Sequence, residues 1–213
     1  MPDDHAGKAQ IPVSPNNPCP FLRALVANGY VGGHIVPLPE LAETIGLASG
    51  ETGLNERIVD LKTYGVALLA NGHPLRSITS GAVLDELRNG PLDKHGAGSR
   101  ILGVDAQVHE GEIDRLAGFG KDRPDGAGGV ERGLNAKEIA IYMAENLKRA
   151  GAAARWYYPL MMKGEWPVLL DIMGKGAGEE RYLSVAEVRT LFVDRRIPDR
   201  IVARLPQPPM SGA

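Results

Sequence analysis

The sequence contains a single cysteine, Cys19, among its 213 residues, so no disulfide bond can form within the chain. Zinc sites built on several thiolates are excluded for the same reason, and so is a c-type haem, whose attachment needs a pair of cysteines. The fold must therefore be held by packing and by any cofactor that binds. Cys19 is left for ligation, for catalysis, or for burial as a small hydrophobic side chain.

Long apolar runs and clusters of one charge are also missing. No stretch approaches the roughly 18 to 20 apolar residues that cross a bilayer. The N-terminus lacks a basic region followed by an apolar segment, so we expect no membrane partner and a soluble protein, cytoplasmic unless a signal peptide has been removed and the protein is secreted. The net charge is −2, and the longest basic clusters are dipeptides such as Arg195-Arg196. This argues against a nucleic-acid partner, and the sequence leaves the oligomeric state open.

Alternating apolar and polar residues, the pattern typical of strands, are nearly absent, and the sequence has no internal repeat. We therefore predict an all-α fold, a single helical domain of roughly six to eight helices with long loops. Four prolines among the first 18 residues predict an extended lead-in over 1–18. The helical domain is predicted for 19–198 and a C-terminal tail for 199–213.

Helix start and stop signals give the expected boundaries. Asn135 with Glu138, and Ser184 with Glu187, have the spacing of a capping box. Pro20 suits the first position of a helix that ends at Asn28-Gly29. The other predicted helices cover about 39–46, 55–70 (with Ile58, Leu61, Ala67 and Leu68 as its apolar stripe), 81–88, 111–117, 135–150, 152–173 (interrupted by Pro159 and Pro167) and 184–194.

The surroundings of Cys19 favour an ionised sulfur. A free cysteine is mostly protonated at neutral pH. A sulfur just before a helix, however, meets backbone N–H groups without internal partners and the positive end of the helix dipole. Pro18 and Pro20 stiffen its position. The alternative is that Cys19 is a small buried hydrophobic side chain without chemistry.

Residues 18–30 read PCPFLRALVANGY. This segment resembles the proximal motif of the fungal haem-thiolate peroxidases, the family of chloroperoxidase and the unspecific peroxygenases, in which the cysteine between two prolines is the axial ligand. The resemblance implies a pocket for haem b, with Cys19 binding the iron between Pro18 and Pro20. It further implies an enzyme that uses hydrogen peroxide to oxidise or oxygenate small organic substrates. The segment departs from the family at Arg23, where asparagine is usual.

A second segment, 108–115, reads VHEGEIDR and resembles the Glu-His-Asp motif of the same family. The resemblance implies that His109 is an acid–base residue. It also implies that Glu110 and Glu112 bind a magnesium ion near a haem propionate, since hard cations prefer several oxygen ligands. Without the resemblance, His109 reads as a loop histidine among solvated acids.

A third segment, 162–174, reads MKGEWPVLLDIMG. Glu165 stands in an otherwise apolar stretch, where a carboxylate is costly unless it is paired, functional or at the edge of a cavity. The segment resembles the family helix whose glutamate faces the distal pocket, which implies that Glu165 and His109 act together as acid and base. The alternative is a glutamate at a helix break with its carboxylate in water. Arg100 and Arg115 are candidates for binding the haem propionates.

Two other functions are compatible with the same residues. A haem-binding sensor or carrier would keep Cys19 as the ligand and would not need His109 and Glu165 as a pair. A haem-free helical protein could use Cys19 as a redox thiol. Mutation of His109 and Glu165 would leave the spectra and function of a sensor or carrier intact, and a haem-free protein would purify colourless.

Overall fold

The computed structural model describes residues 10–90, 98–162 and 165–208. The prediction of an all-α fold is wrong. The structure is about 55% helical and 11% strand, and it contains a two-stranded and a three-stranded antiparallel sheet, so the fold is mixed α/β. The strands are short and carry many charged residues, which hid their alternation in the sequence.

The helices follow one another along the whole described chain. They are α1 (Pro20–Ala27), α2 (Leu38–Ser49), α3 (Leu54–Ala70), α4 (Pro74–Ser80), α5 (Glu110–Phe119), α6 (Ala136–Ala150), α7 (Tyr158–Met161), α8 (Trp166–Met173), α9 (Val185–Arg189) and α10 (Asp199–Val202). Short 3₁₀ segments cover Leu84–Asn89, Gly151–Ala153 and Gly178–Glu180, and a π-helical segment, Thr190–Asp194, continues α9.

The larger sheet begins with a hairpin that lies between two predicted helices, 111–117 and 135–150. Strands β3 (Lys121–Pro124) and β4 (Val130–Asn135) pair antiparallel. The turn between them starts with Asp125, whose Oδ1 accepts hydrogen bonds from the N–H groups of Ala127 and Gly129, both at 2.8 Å. An Asp-Gly pair is a strong hairpin signal when alternating hydrophobic residues flank it. Asp125-Gly126 was available in the sequence, but the charged residues on both sides of it carry no such alternation.

A third strand completes this sheet, and a second sheet lies elsewhere in the chain. Strand β5 (Tyr182–Ser184) pairs with β4, and Leu183 stands opposite Leu134. Both leucines are buried. The smaller sheet pairs β1 (Ile35–Val36) with β2 (Ala82–Val83). Such two-residue strands are formed by tertiary packing and leave no periodic signal in the sequence.

Several helix predictions are confirmed and one is wrong. The helices predicted from the Asn135 capping box and from Pro20 begin where expected, as does the helix after the Ser184 cap. The predicted helix 81–88 is instead β2 followed by a 3₁₀ segment. The predicted helix 152–173 is interrupted as expected, and Pro159 and Pro167 lie in the first turns of the separate helices α7 and α8, where a missing backbone donor is tolerated.

The α3 helix was predicted almost to the residue, and its buried face in part. Ala67 of the predicted apolar stripe is buried and Leu68 packs partly buried against the core, whereas Leu61 is 74% exposed and Ile58 is 42% exposed. Among the α3 side chains that the structure describes, Val59, Thr63 and Ala67 are buried, and they recur every four residues. This face contains a threonine, so hydrophobicity alone selected only part of it.

The core surrounds α1 and α8. Phe21 and Leu25 of α1 are buried, and α8 packs against α2, α3 and α6. Trp166, at the start of α8, makes an edge contact with Tyr142 at a centroid distance of 5.4 Å and stacks on Phe192 at 6.4 Å. These contacts hold the beginnings of α1 and α8 in fixed places.

The segment before α1 contains no helix or strand between residues 10 and 19. It lies along the body of the protein, where the Ile11 N–H donates to the Ala27 carbonyl and the Asn16 carbonyl accepts from the Arg88 N–H. The short α10 lies within the predicted tail. Among the described helices, none is both long and apolar enough to span a bilayer.

The Asn135 cap gives a test of this fold. Its side chain accepts from the N–H groups of Lys137 and Glu138, and the Glu138 carboxylate accepts from the Asn135 N–H. Replacing Asn135 with alanine should lower the free energy of unfolding by about 1 kcal/mol in urea denaturation. Lys137→Ala, which removes an exposed ion pair in the same turn, should cost no more than about 0.5 kcal/mol. Equal losses in the two variants would contradict the capping box.

Candidate functional site

A cavity of about 420 Å³ opens between the start of α1 and the start of α8. Its walls are mostly apolar and come from α2, α3, α8, the Cys19 turn and residues 98–104. Phe21, Trp166 and Phe192 are the aromatic residues of the lining. This size and polarity are typical of pockets for cofactors and small organic molecules.

Cys19 lies on the wall of this cavity at the first turn of α1. Pro18 and Pro20 line the cavity on either side of it, as the sequence motif suggested. The Cys19 N–H donates to Asn17 Oδ1 at 3.1 Å, and Asn17 is buried. The side chain of Cys19 is half-buried. The Cys19 carbonyl accepts the Arg23 N–H at 2.9 Å, so the backbone of Cys19 is held on both sides where it lines the cavity.

Burial raises the pKa of the Cys19 thiol above that of a free cysteine. Backbone N–H groups of Leu22 and Phe21 and the positive charge of Arg23 oppose this effect, whereas the nearby Glu165 carboxylate adds to it. The net effect favours the neutral thiol, so the helix terminus and Arg23 together do not ionise this sulfur. A further cation next to the sulfur would be needed to hold the thiolate at neutral pH.

Glu165 lines the same cavity. It precedes the first residue of α8, and its carbonyl accepts the N–H of Leu169 at 2.9 Å. The packed α8 therefore positions this carboxylate at the cavity edge. The cavity brings Cys19, with its two flanking prolines, together with Glu165, which is 146 positions away in the sequence.

Neither protein-family models nor curated proteins match this chain, and no solved structure does.

His109 is not part of the cavity wall among the residues described. It is exposed and precedes α5, where its N–H donates to the Ile101 carbonyl at 2.8 Å. Its ring lies behind Gly103, which does line the cavity. A Cβ atom at Gly103 would lie only 2.8 Å from His109 Nε2, so a side chain at position 103 would displace this ring.

Glu110 and Glu112 each contact a different arginine. Both oxygens of Glu112 accept from Arg149, at 2.6 and 2.7 Å, and this contact lowers the pKa of Glu112. Glu110 accepts from Arg189. No group of three or more His, Cys, Asp or Glu side chains in the described ranges is arranged to hold a metal. The predicted magnesium ligands therefore do not fit that ion, because their oxygens already bind arginine.

The basic residues of the site differ from those expected. Arg100 lines the cavity, as a propionate-binding residue would. Arg115 instead lies between α5 and α6, where it donates to Asn146 and its guanidinium contacts the rings of Phe119 and Tyr142. Arg88 was missed. Its burial depends on tertiary packing, and in the sequence it looks like one charge among several.

The environment of Cys19 predicts that its thiol is alkylated slowly in the folded protein without a bound ligand. Iodoacetamide should label Cys19 more slowly at pH 7.5 in the folded protein than after unfolding in urea, because burial raises its pKa and only the thiolate reacts. Mass spectrometry reads the result without ambiguity, since the chain has one cysteine. Glutathione in the same urea concentrations controls for the effect of urea on the reagent. Labelling of the folded protein as fast as that of the unfolded protein would contradict this description of the site.

Proposed function

We propose that this protein is a haem-thiolate peroxidase or peroxygenase that uses hydrogen peroxide to oxidise or oxygenate small organic molecules. In this proposal the Cys19 sulfur binds the iron of haem b. The observation that supports it most directly is the presence of Cys19 and Glu165 on one apolar cavity. Cys19 and Glu165, which the resemblance assigns to opposite faces of a haem, thus line one pocket, whereas His109, the partner it assigns to Glu165, does not.

The residues of the cavity fit such a group. The apolar walls suit a porphyrin, and the volume lies within the range of cofactor pockets. Cys19 is the only thiol available, and the N–H groups of Phe21 and Leu22 point toward its sulfur. Because the buried thiol is otherwise neutral, a positively charged iron centre would provide the charge that stabilises the thiolate.

When bound, a haem with a thiolate ligand supplies cleavage of the peroxide O–O bond and the oxidising equivalents passed to the substrate. Glu165 would take a proton from the incoming peroxide and return it to the departing oxygen. Leu41, Ile45 and Leu169 would exclude water and contact apolar substrates. We propose no step for His109, because it is exposed and does not line the cavity.

The redox-thiol alternative is disfavoured by the same site. A reactive thiol is selected for a low pKa, whereas burial raises the pKa of Cys19. A haem sensor or carrier shares the Cys19 ligand with the enzyme. A sensor or carrier would keep its function when Glu165 is replaced, whereas the enzyme would lose turnover.

The first experiment tests the ligand. Protein expressed with haem supply, or reconstituted with haemin, should show a strongly red-shifted Soret band after reduction and addition of carbon monoxide, because thiolate ligation shifts this band. Cys19→Ser should lose the shifted band while retaining the far-UV circular dichroism of the parent. A shifted band that survives in Cys19→Ser, or a Soret band without the shift, would refute thiolate ligation by Cys19.

The second experiment tests the acid–base role. Glu165→Gln should lower the turnover of a peroxide-dependent dye oxidation by about 10²- to 10⁴-fold, since the amide cannot exchange the proton. The spectrum of the reduced carbon monoxide complex should stay unchanged, because Cys19 is intact. Glu179→Gln is the matched control, because Glu179 is exposed and pairs with Lys137 away from the cavity. Full turnover in Glu165→Gln would remove Glu165 from the mechanism. If the parent protein shows the red-shifted Soret band but oxidises no dye, a sensor or carrier function is favoured.

A further inference from the structure

Arg88 is a buried cation on the cavity wall. It lies in the 3₁₀ segment Leu84–Asn89, is 8% exposed, and lines the cavity that contains Cys19. Its Nε donates to the Pro15 carbonyl at 3.2 Å and its Nη2 donates to the Gly103 carbonyl at 2.9 Å. Both acceptors are neutral. Within residues 10–90, 98–162 and 165–208, no carboxylate forms an ion pair with it.

A second buried arginine nearby has the same property. Arg23 is 6% exposed and donates to the carbonyls of Ser14 and Asn17. Burial lowers its pKa, and the positive charges of Arg195 and Arg88 lower it further. The guanidinium groups of these residues are thus close enough to repel one another at this end of the cavity.

The third buried arginine among the described residues, Arg123, is paired with carboxylates. Arg123 donates to Glu138 at 2.8 Å and also forms an ion pair with Glu180. Leaving a buried charge unpaired costs several kcal/mol, which is why such pairs form. The contrast indicates that the charge at Arg88 is matched by an anion from outside the described chain.

We propose that Arg88 binds the carboxylate of a molecule held in the Cys19 cavity. A guanidinium can bind a carboxylate through two parallel hydrogen bonds, and Arg88 has further N–H groups beyond those used by Pro15 and Gly103. The inference rests on the proposed function for one source of that carboxylate, a haem propionate. The other source is the carboxylate of a small organic substrate.

This assignment also explains how the site can bind a propionate without magnesium. The carboxylates of Glu110 and Glu112 are bound to Arg189 and Arg149 and are not free for a metal ion. Arg88 supplies a positive charge on the wall itself. In this chain an arginine therefore takes the place of a divalent cation.

The test compares carboxylic acids with their esters, because esterification removes the charge and changes little else. The parent protein should bind haem about 10- to 100-fold more tightly than haem dimethyl ester, as expected for one hydrogen-bonded charge pair. In the haem-free protein, calorimetry with octanoate and methyl octanoate tests a substrate carboxylate. Neither comparison requires a variant, so a folding defect cannot hide the result.

Variants then assign the preference to Arg88. Arg88→Gln should abolish the preference for the acid and leave the affinity for the ester unchanged, whereas Arg88→Lys should retain part of it. Arg132→Gln, which removes an exposed ion pair with Asp122, should behave as the parent. An equal loss of affinity for acid and ester in Arg88→Gln would mean that Arg88 only stabilises the cavity wall, and it would contradict carboxylate binding by Arg88.

The outcomes separate this inference from the proposed function. A preference for haem over its ester that depends on Arg88 supports both. A preference confined to octanoate, with no haem bound, supports the role of Arg88 and refutes the haem-thiolate function. Haem bound through Cys19 with no preference in either comparison overturns the role of Arg88 and leaves the proposed function standing.

Discussion

The position of the Cys19 sulfur depends on how α1 is held, and the rest of the site depends on that sulfur. The buried face of α1, including Phe21 and Leu25, sits in the core. Ahead of the helix, Asn17 accepts the Cys19 N–H and Arg23 donates to the Asn17 carbonyl. The segment therefore approaches the helix along one path. Pro18 has a fixed φ, and Pro20 restricts the backbone of Cys19 to the extended conformation that it adopts.

The charges around the cavity are poorly matched within the chain itself. A buried thiol held neutral lies on one side, and arginines without carboxylate partners in the described chain lie near it. A buried charge without a carboxylate partner carries a free-energy cost in an apolar environment, whereas a neutral buried thiol does not. An anion bound beside the arginines would offset that cost. This charge pattern and the apolar walls support the proposed haem site, in which the propionates would supply that anion.

Sequence reasoning recovered the local features and missed those created by distant contacts. Pro20 and the Asn135 capping box act within one helical turn, so the starts of α1 and α6 were predictable. Strands β1 and β2 are two residues long and lie 46 positions apart, so only tertiary packing reveals them. The same division holds for the site. Cys19 and Glu165 were found through local motifs, whereas Arg88 becomes distinctive only through its burial and its partners.

Arg88 also connects the two walls of the cavity. One of its hydrogen bonds reaches Pro15, in the segment that leads to Cys19, and the other reaches Gly103, in the segment that leads to His109. Arg100 and Ala106 in that second segment have positive φ angles, 60° and 62°, which are unfavourable for residues with a side chain. A strained backbone keeps its shape only when surrounding contacts maintain it. A carboxylate bound at Arg88 would therefore affect the conformation of residues 100–106, because the same guanidinium would contact the carboxylate and the Gly103 carbonyl.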